Sequence, residues 1–208
     1  MNFSEKINEI KKNAKKRKFT QSWDLILNIK ALNLKKPENR LNTEFTLPEG
    51  RGKDLKIAVF ADSMITDAKK FADLAVGKAE ITGLKKNKKK LKDIVNNYDW
   101  YFAEAPLMVI VAKELGAILG PKNKTPRPIP PKIDLEGFLK AAKKKIRITL
   151  KDSPVIHVSI GTESMEDEKI AKNAEAVYNF VKEKLPKGQH NIKSVYIKLT
   201  MSKPVRVE

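Results

Sequence analysis

The loop from Gly120 to Thr125 is the stretch that comes nearest to a phosphate-binding cradle, since it joins glycine to lysines and a hydroxyl. A P-loop needs glycines at defined positions so that backbone N–H groups can surround a phosphate. With Lys124 and Thr125 in the Lys-Ser/Thr positions, those glycines would fall at Ile118 and Asn123, and both are absent. No Gly-x-Gly-x-x-Gly occurs anywhere in the chain. The sequence therefore disfavours a nucleotide-binding loop.

The same stretch is rich in proline, which holds the backbone in extended conformations. We therefore expect a basic arm or a structural lid from which Lys122, Lys124 and Arg127 project. The prolines are Pro121, Pro126, Pro128, Pro130 and Pro131.

Other catalytic groups are sparse. The chain has no cysteine, which excludes disulfides and thiolate chemistry, and its two histidines, His157 and His190, are far apart in the sequence. Neither histidine has a cysteine partner, and no Gly-x-Ser-x-Gly presents a nucleophile. Acidic residues at 163–168 stand where a helix begins, and the helix dipole favours them there without any chemistry. We predict a protein that is not an enzyme and carries no metal or other cofactor.

Charge points to a polyanionic partner. Forty-three Lys and Arg against twenty-five Asp and Glu give a formal charge of +18 over 208 residues. A surface this positive attracts nucleic acid, although lysines that serve only solubility would give the same composition. No apolar run reaches the length of a membrane span, and the basic amino-terminal stretch lacks a secretory apolar segment. We therefore expect a soluble cytoplasmic protein with no membrane partner.

The two ends of the chain show similar patterns. A helix with an Asn2 cap is followed by alternating strands at 20–30 and 41–47, with Ile26 as the one break in the first alternation. Towards the other end, a strand at 155–160, a helix capped by Ser164 and a strand at 195–199 are expected. Neither end has enough elements for a core, so we predict one domain built from 1–53 and 152–208.

The intervening residues, 54–151, alternate between strands and helices. Strands are expected at 56–61, 79–81 and 100–103, with helices at 66–76, 84–98 and 107–115. The helix at 84–98 carries a lysine run from Lys85 to Lys92, which reads as a solvated face. Such alternation predicts an inserted α/β domain with a parallel, doubly wound sheet. Because such sheets often bind nucleotides, a nucleotide-binding enzyme remains an alternative function.

Several separated motifs, in one order, resemble ribosomal protein L1, and its archaeal form in particular. The motifs are Lys18-Phe19-Thr20-Gln21-Ser22, Lys36-Pro37-Glu38-Asn39-Arg40, residues 47–53, Ile118-Leu119-Gly120-Pro121-Lys122, Lys193-Ser194-Val195-Tyr196 and Leu199-Thr200-Met201. The resemblance implies an α/β fold of two domains. The first is α+β, split between both termini, with an antiparallel sheet and helices. The second is an inserted, Rossmann-like domain with a mainly parallel sheet.

The resemblance also implies a function. Proteins of this family bind large-subunit ribosomal RNA, form a mobile stalk beside the tRNA exit site and repress translation by binding their own messenger RNA. The expected partners are therefore the ribosome, its large-subunit RNA, the protein's own mRNA and the exit-site tRNA. We expect a monomer when the protein is off the ribosome. Nonspecific coating of nucleic acid is the remaining alternative.

Carried over by position, the family's RNA contacts fall on two short stretches and on two acidic positions. Lysine would neutralise phosphate, hydroxyls would bond ribose or phosphate, and apolar side chains would press against ribose or base. The implied residues are Glu9, Lys18, Phe19, Ser22, Asp24, Ser194, Thr200, Met201 and Ser202. The family usually has glycine at the last of these. Serine there adds a side chain where RNA should approach, so either the local geometry relaxes or the hydroxyl joins the contact.

Overall fold

The computed structural model describes residues 2–86, 88–122, 124–130 and 133–207. The fold is mixed α/β, as predicted, with antiparallel and parallel sheets. In chain order the elements are α1 (Phe3–Asn13), β1 (Ser22–Ile29), β2 (Leu41–Thr46), β3 (Ile57–Phe60), α2 (Ile65–Phe71), β4 (Leu74–Val76), α3 (Lys78–Lys86), α4 (Lys88–Asn97), β5 (Trp100–Glu104), α5 (Ala105–Leu119), β6 (Arg127–Ile129), α6 (Leu135–Lys143), β7 (Lys145–Leu150), β8 (Val155–Thr162), α7 (Asp167–Lys184), β9 (Ile192–Leu199) and β10 (Val205–Arg206). The chain divides into two compact units, Met1–Lys53 with Lys144–Glu208, and Asp54–Lys143.

The first unit is built on a four-stranded sheet in the order β10-β9-β1-β8. Strand β1 pairs antiparallel with both β8 and β9. Alternation along β1 buries Trp23, Leu25 and Leu27, which join α1 and α7 in one apolar core. The opposite face of this sheet, turned away from these two helices, is called the outer face below.

One boundary differs from the sequence analysis. Residues 144–151 were assigned to the insert, but β7 pairs antiparallel with β2 along its whole length. Its alternating Ile146, Ile148 and Leu150 are buried in the core of the first unit. The apolar period of a strand does not say which sheet it joins, which is why the sequence could not place this element.

The helix ends follow from local hydrogen bonds. The predicted cap of α1 is confirmed, since the Asn2 side chain accepts a hydrogen bond from the Glu5 N–H at 3.5 Å. The predicted Ser164 cap is wrong, because α7 begins at Asp167, with Glu166 in the capping position. The Ser164 hydroxyl instead lies 2.9 Å from the Thr162 hydroxyl.

The second unit has a parallel sheet in the order β4-β3-β5-β6 with helices on both faces. Helices α3, α4 and α5 cover one face, and α2 and α6 cover the other. The strands expected at 56–61 and 100–103 are present. Strand β4 occupies the last residues of the helix expected at 66–76, and helix α3 replaces the strand expected at 79–81.

Four side chains of the lysine run, at positions 85, 86, 88 and 90, lie outside the described residues. No helix within the described ranges has the length and apolarity that a bilayer crossing requires.

The proline-rich stretch is not a projecting arm. Residues 127–129 form the edge strand β6, where Pro128 is tolerated because the edge needs no donor on its free side. The Lys124 ammonium donates to the carbonyl oxygens of Val95 and Tyr98 at 2.7 and 2.6 Å, at the carboxyl end of α4. Burial lowers the pKa of Lys124 below its usual value, with a smaller opposing effect from the nearby Asp99. Asn123 and Pro131 lie outside the described residues.

Asn173 on α7 fastens the turn that follows β2 to strand β8. Its fully buried amide donates to the carbonyls of Gly50 and Ile160, both at 2.8 Å, and accepts from the Glu49 N–H at 3.1 Å. Replacing it by alanine leaves these groups without their partner. We expect Asn173→Ala to lower the free energy of unfolding by about 2–4 kcal/mol, measured by chemical denaturation.

The matched control is Asn179→Ala on the exposed side of the same helix. It should change the free energy of unfolding by no more than about 0.5 kcal/mol. Equal effects of the two substitutions would contradict the role of the Asn173 amide.

Candidate nucleic-acid interface

The start of β1 and the end of β9 meet at one edge of the sheet. The Thr200 hydroxyl accepts a hydrogen bond from the Ser22 N–H at 3.1 Å, and the Thr200 N–H donates to the Ser22 carbonyl at 3.1 Å. These contacts continue the β1–β9 register by one residue beyond the pair of Trp23 and Leu199. Two motifs that are 178 residues apart in the chain are therefore brought into direct contact.

Gln21 is the buried centre of this edge, and sequence reasoning missed it. Its side chain is 1% exposed, and its amide oxygen accepts from the Met201 N–H at 3.1 Å. Its backbone exchanges two hydrogen bonds with Glu163, whose N–H donates to the Gln21 carbonyl at 2.8 Å. The available signal was a polar residue in the position preceding a buried strand, inside a motif already noted. Gln21 thus joins three separate segments of the first unit.

Around Gln21, four of the predicted contact residues are open to solvent. Lys18 and Thr200 are exposed, Phe19 is 51% exposed and Met201 is 57% exposed. Phe19 and Met201 therefore leave large apolar side chains open to solvent near Gln21, where a partner can contact them. We call Lys18, Phe19, Gln21, Ser22, Thr200 and Met201 the strand-end cluster.

A basic segment runs into this cluster. Residues 14–20 link α1 to β1 without regular structure, and four consecutive cations lie there with exposed side chains. They are Lys15, Lys16, Arg17 and Lys18. The apolar groups of the cluster are therefore next to concentrated positive charge, which suits a phosphate-bearing partner.

The remaining predicted residues occupy other positions. Asp24 lies on the outer face, where a carboxylate oxygen is 3.6 Å from the His157 imidazole. Ser194 is only 5% exposed, and its hydroxyl accepts from the Asn28 amide at 2.9 Å. Glu9 is on α1 and pairs with Lys6 at 2.9 Å. The structure thus brings Lys18, Phe19, Ser22, Thr200, Met201 and Ser202 together, with Asp24 and Ser194 further along the strands.

The outer face carries further residues that sequence reasoning did not select. Ile26, the break in the alternation of β1, is half-buried there and pairs across the strands with His157 and Tyr196. Arg206 on β10 pairs with Tyr196 from the other side. An aliphatic, an aromatic and a basic side chain therefore form a continuous row, the combination on which RNA bases and riboses stack.

Ser202 keeps its hydroxyl within the chain. Its N–H donates to the Leu199 carbonyl at 3.0 Å, and its hydroxyl oxygen accepts from the Leu199 N–H at 2.8 Å. Among the described non-glycine residues, Ala31 has a positive φ and Ser202 does not. The turn after β9 therefore needs no glycine here, and the hydroxyl closes the end of the strand.

In the second unit, backbone N–H groups that could bind an anion are already bonded to a carboxylate of the same unit. At the carboxyl end of β5, the Glu104 side chain accepts from the N–H groups of Ser63 and Met64 at 3.2 and 2.7 Å and from the Ser63 hydroxyl at 3.1 Å. Ser63 and Met64 lie in the turn between β3 and α2, and in doubly wound sheets the turn after the carboxyl end of a strand is where phosphate binds. Burial acts to raise the pKa of Glu104, but these hydrogen bonds prevail and hold it below its ordinary value.

Comparison with known proteins decides the family. The sequence model of the Ribosomal protein L1p/L10e family matches residues 10–203. The chain belongs to this family.

Similar proteins named large ribosomal subunit protein uL1 occur in several archaea. The chain is 44% identical to that of Methanothermobacter thermautotrophicus over 205 residues, covering 98% of this chain and 97% of the relative. It is 45% identical to that of Pyrococcus horikoshii over 206 residues, covering 98% and 94%. It is 40% identical to that of Methanocaldococcus jannaschii over 203 residues, covering 97% and 93%. These relatives are named as ribosomal proteins rather than as enzymes.

The role of Gln21 in this L1-family chain can be tested by removing its amide. We expect Gln21→Leu, which keeps much of the volume, to leave the Met201 N–H without an acceptor and to lower the free energy of unfolding by about 1–2 kcal/mol. Hydrogen exchange at Met201 should accelerate more than exchange within β1. The control is Thr20→Val at the exposed neighbouring position, and equal exchange at Met201 in both variants would contradict the assignment.

The Glu104 contacts predict a dependence of stability on pH. Because the folded state lowers the pKa of this carboxyl, its stabilisation is fully present above the pKa of the unfolded chain and is lost as pH falls through the folded-state pKa. We expect Glu104→Gln to cost about 1–2 kcal/mol of unfolding free energy at neutral pH and progressively less in acid, measured by denaturation across pH. The control Asp93→Asn, at an exposed position of α4, should change the unfolding free energy at neutral pH by no more than about 0.5 kcal/mol.

Proposed function

We propose that this protein is a component of the large ribosomal subunit and binds large-subunit ribosomal RNA through the strand-end cluster and the outer face. The observation that carries the proposal is the direct hydrogen bonding of Ser22 to Thr200. It unites the two motifs implied to contact RNA, next to four consecutive exposed cations. Relatives that share more than two fifths of their residues with this chain are named as large-subunit proteins.

The chemistry of the cluster suits structured RNA. Lys18 supplies a charge for a phosphate, while Phe19 and Met201 offer exposed apolar surface for a ribose or a base. The hydroxyls of Ser22 and Thr200 are at this edge. The Thr200 hydroxyl donates to the Ser22 carbonyl at 3.3 Å, and its oxygen can still accept from a 2′-hydroxyl. Charge therefore supplies affinity, and the fixed arrangement of the hydroxyls and apolar groups supplies discrimination between RNA shapes.

The other implied residues take supporting roles in this proposal. Asp24 orients His157 on the outer face. Ser194 orients Asn28, because its own hydroxyl is buried and already engaged. Ser202 fixes the turn that presents Met201. Glu9, paired with Lys6, is proposed as an acceptor for 2′-hydroxyls at the edge of the interface.

The wider role follows from the family. We propose that the bound protein forms the mobile stalk beside the tRNA exit site and contacts the exit-site tRNA there. We further propose that it represses translation by binding a similar structure in its own mRNA. Binding to ribosomal RNA and binding to the mRNA use the same surface of the protein, because the two RNAs are proposed to present a similar structure. The proposed location is the cytoplasm, on the ribosome, with a monomer as the free form.

The test of the site begins with Lys18. We expect Lys18→Ala to weaken binding of a stalk fragment of ribosomal RNA by about 1–3 kcal/mol, since a charge-assisted contact is lost. The slope of log affinity against log salt concentration should fall by about 1, because one fewer phosphate is neutralised. Titration of the RNA at several salt concentrations gives both quantities.

Lys172→Ala is the matched control, since it removes the same charge from the exposed side of α7, on the other side of the sheet. It should leave the affinity nearly unchanged. Competition with unrelated duplex RNA tests specificity. Equal binding of stalk fragment and duplex would favour nonspecific coating over the proposed function.

A further inference from the structure

A cavity of about 500 Å³ lies beside the strand-end cluster, bounded by the end of α1 and the turn after β9. Its volume is within the range of small-molecule sites, about 300–1,000 Å³. It is lined by Ile10, Asn13, Ala14, Lys15, Arg17, Gln21, Met201, Ser202, Lys203 and Val205. All of these residues belong to the first unit.

One part of the lining is apolar and firmly held. Ile10 is 3% exposed and belongs to the core, and Ala14 and Val205 pack against that core. The side chain of Met201 also lines the cavity but is 57% exposed, and only its backbone is held, by Gln21. A flat apolar group can therefore bind against a wall that is already in place, without ordering the protein first.

The rest of the lining is cationic and polar. Lys15, Arg17 and Lys203 have exposed side chains, and no acidic residue is among those that line the cavity. Asn13 adds an amide to this part of the lining. The cavity thus combines an apolar wall, positive charge for an anion and an amide that can bond the polar edge of a base.

We propose that this cavity accepts one unpaired nucleotide of the bound RNA, with its base on the apolar wall and its phosphate beside Lys15, Arg17 and Lys203. The inference rests on the proposed function, since it gives the RNA a second point of attachment next to the strand-end cluster. Recognition of splayed, unpaired bases is the usual way in which proteins read RNA sequence. The amide of Asn13 can donate to or accept from the polar edge of that base.

A free mononucleotide provides a direct test. Adenosine 5′-monophosphate is titrated into the full chain labelled at its Ile, Val and Met methyl groups, and the NMR shifts of Ile10, Val205 and Met201 are followed. A base stacked on the wall should shift these methyl signals through its ring current, whereas ribose 5-phosphate should shift them much less. Equal responses to the two compounds, or no response to either, would overturn the proposal.

Hexyl phosphate separates a nucleotide from an amphiphile. It carries the same anion on an alkyl chain instead of a base. A stronger response to hexyl phosphate than to the mononucleotide would assign the cavity to an amphiphile and overturn the nucleotide proposal. A weaker response supports the nucleotide.

Two variants locate the response. Ala14→Phe adds a ring to the lining and should abolish the shifts. Lys15→Ala with Lys203→Ala should weaken mononucleotide binding by about tenfold, as the loss of two charge-assisted contacts implies. The control pair Lys172→Ala with Lys182→Ala removes the same charge from exposed positions of α7 and should leave binding within about twofold. Equal weakening by both pairs would overturn the site.

The same samples separate this inference from the proposed function. If the stalk fragment binds normally to Ala14→Phe and the mononucleotide never shifts the cavity methyls, the cavity proposal alone is overturned. If the unaltered chain binds no ribosomal RNA, the proposed function is overturned. The proposal that a nucleotide of that RNA occupies the cavity is then overturned as well. Weaker binding of the stalk fragment by Ala14→Phe, together with the methyl shifts, supports both.

Discussion

The antiparallel pairing of β1 with β8 on one side and β9 on the other is the contact on which the first unit depends. It joins residues from the two halves of the chain into one sheet and turns the apolar side chains of three strands towards α1 and α7. A slip of one residue in either ladder would exchange the buried and outer faces. The register therefore determines both the core and the composition of the outer face.

The proposed interface separates residues that hold its shape from residues that are open to a partner. Gln21, Ser202 and Asn28 use their polar groups within the protein, where they fix the turn after β9 and the strands beneath it. Phe19 and Met201 remain more than half exposed on this fixed frame. Because the frame is hydrogen-bonded before any RNA arrives, little conformational entropy is lost there on binding.

Sequence alone predicted the elements with strong periodicity, because burial of one face leaves a clear pattern. Strands β1, β8 and β9 and helix α1 were identified, and the mixed α/β class followed. The pattern could not assign β7 to a sheet, nor show that Lys124 turns inward to the end of α4, since partners chosen across the fold leave no local signal. At the proposed interface, motif resemblance selected Ser22 and Thr200, which the structure brings into contact. Gln21 was missed, because its position before a buried strand was the only signal, and its side-chain type suggests exposure although the side chain is buried.

The large separation between Ser22 and Thr200 has a consequence for biosynthesis. Translation adds residues from the amino terminus, so β1 emerges long before either of its neighbours and has no ladder to join. The insert is one continuous segment with its own cores and can fold while synthesis continues. The proposed RNA interface, in contrast, is completed only once residues 192–202 have emerged. A half-made chain still attached to its own messenger therefore lacks the surface proposed to bind that messenger, so the proposed repression requires a chain synthesised at least that far.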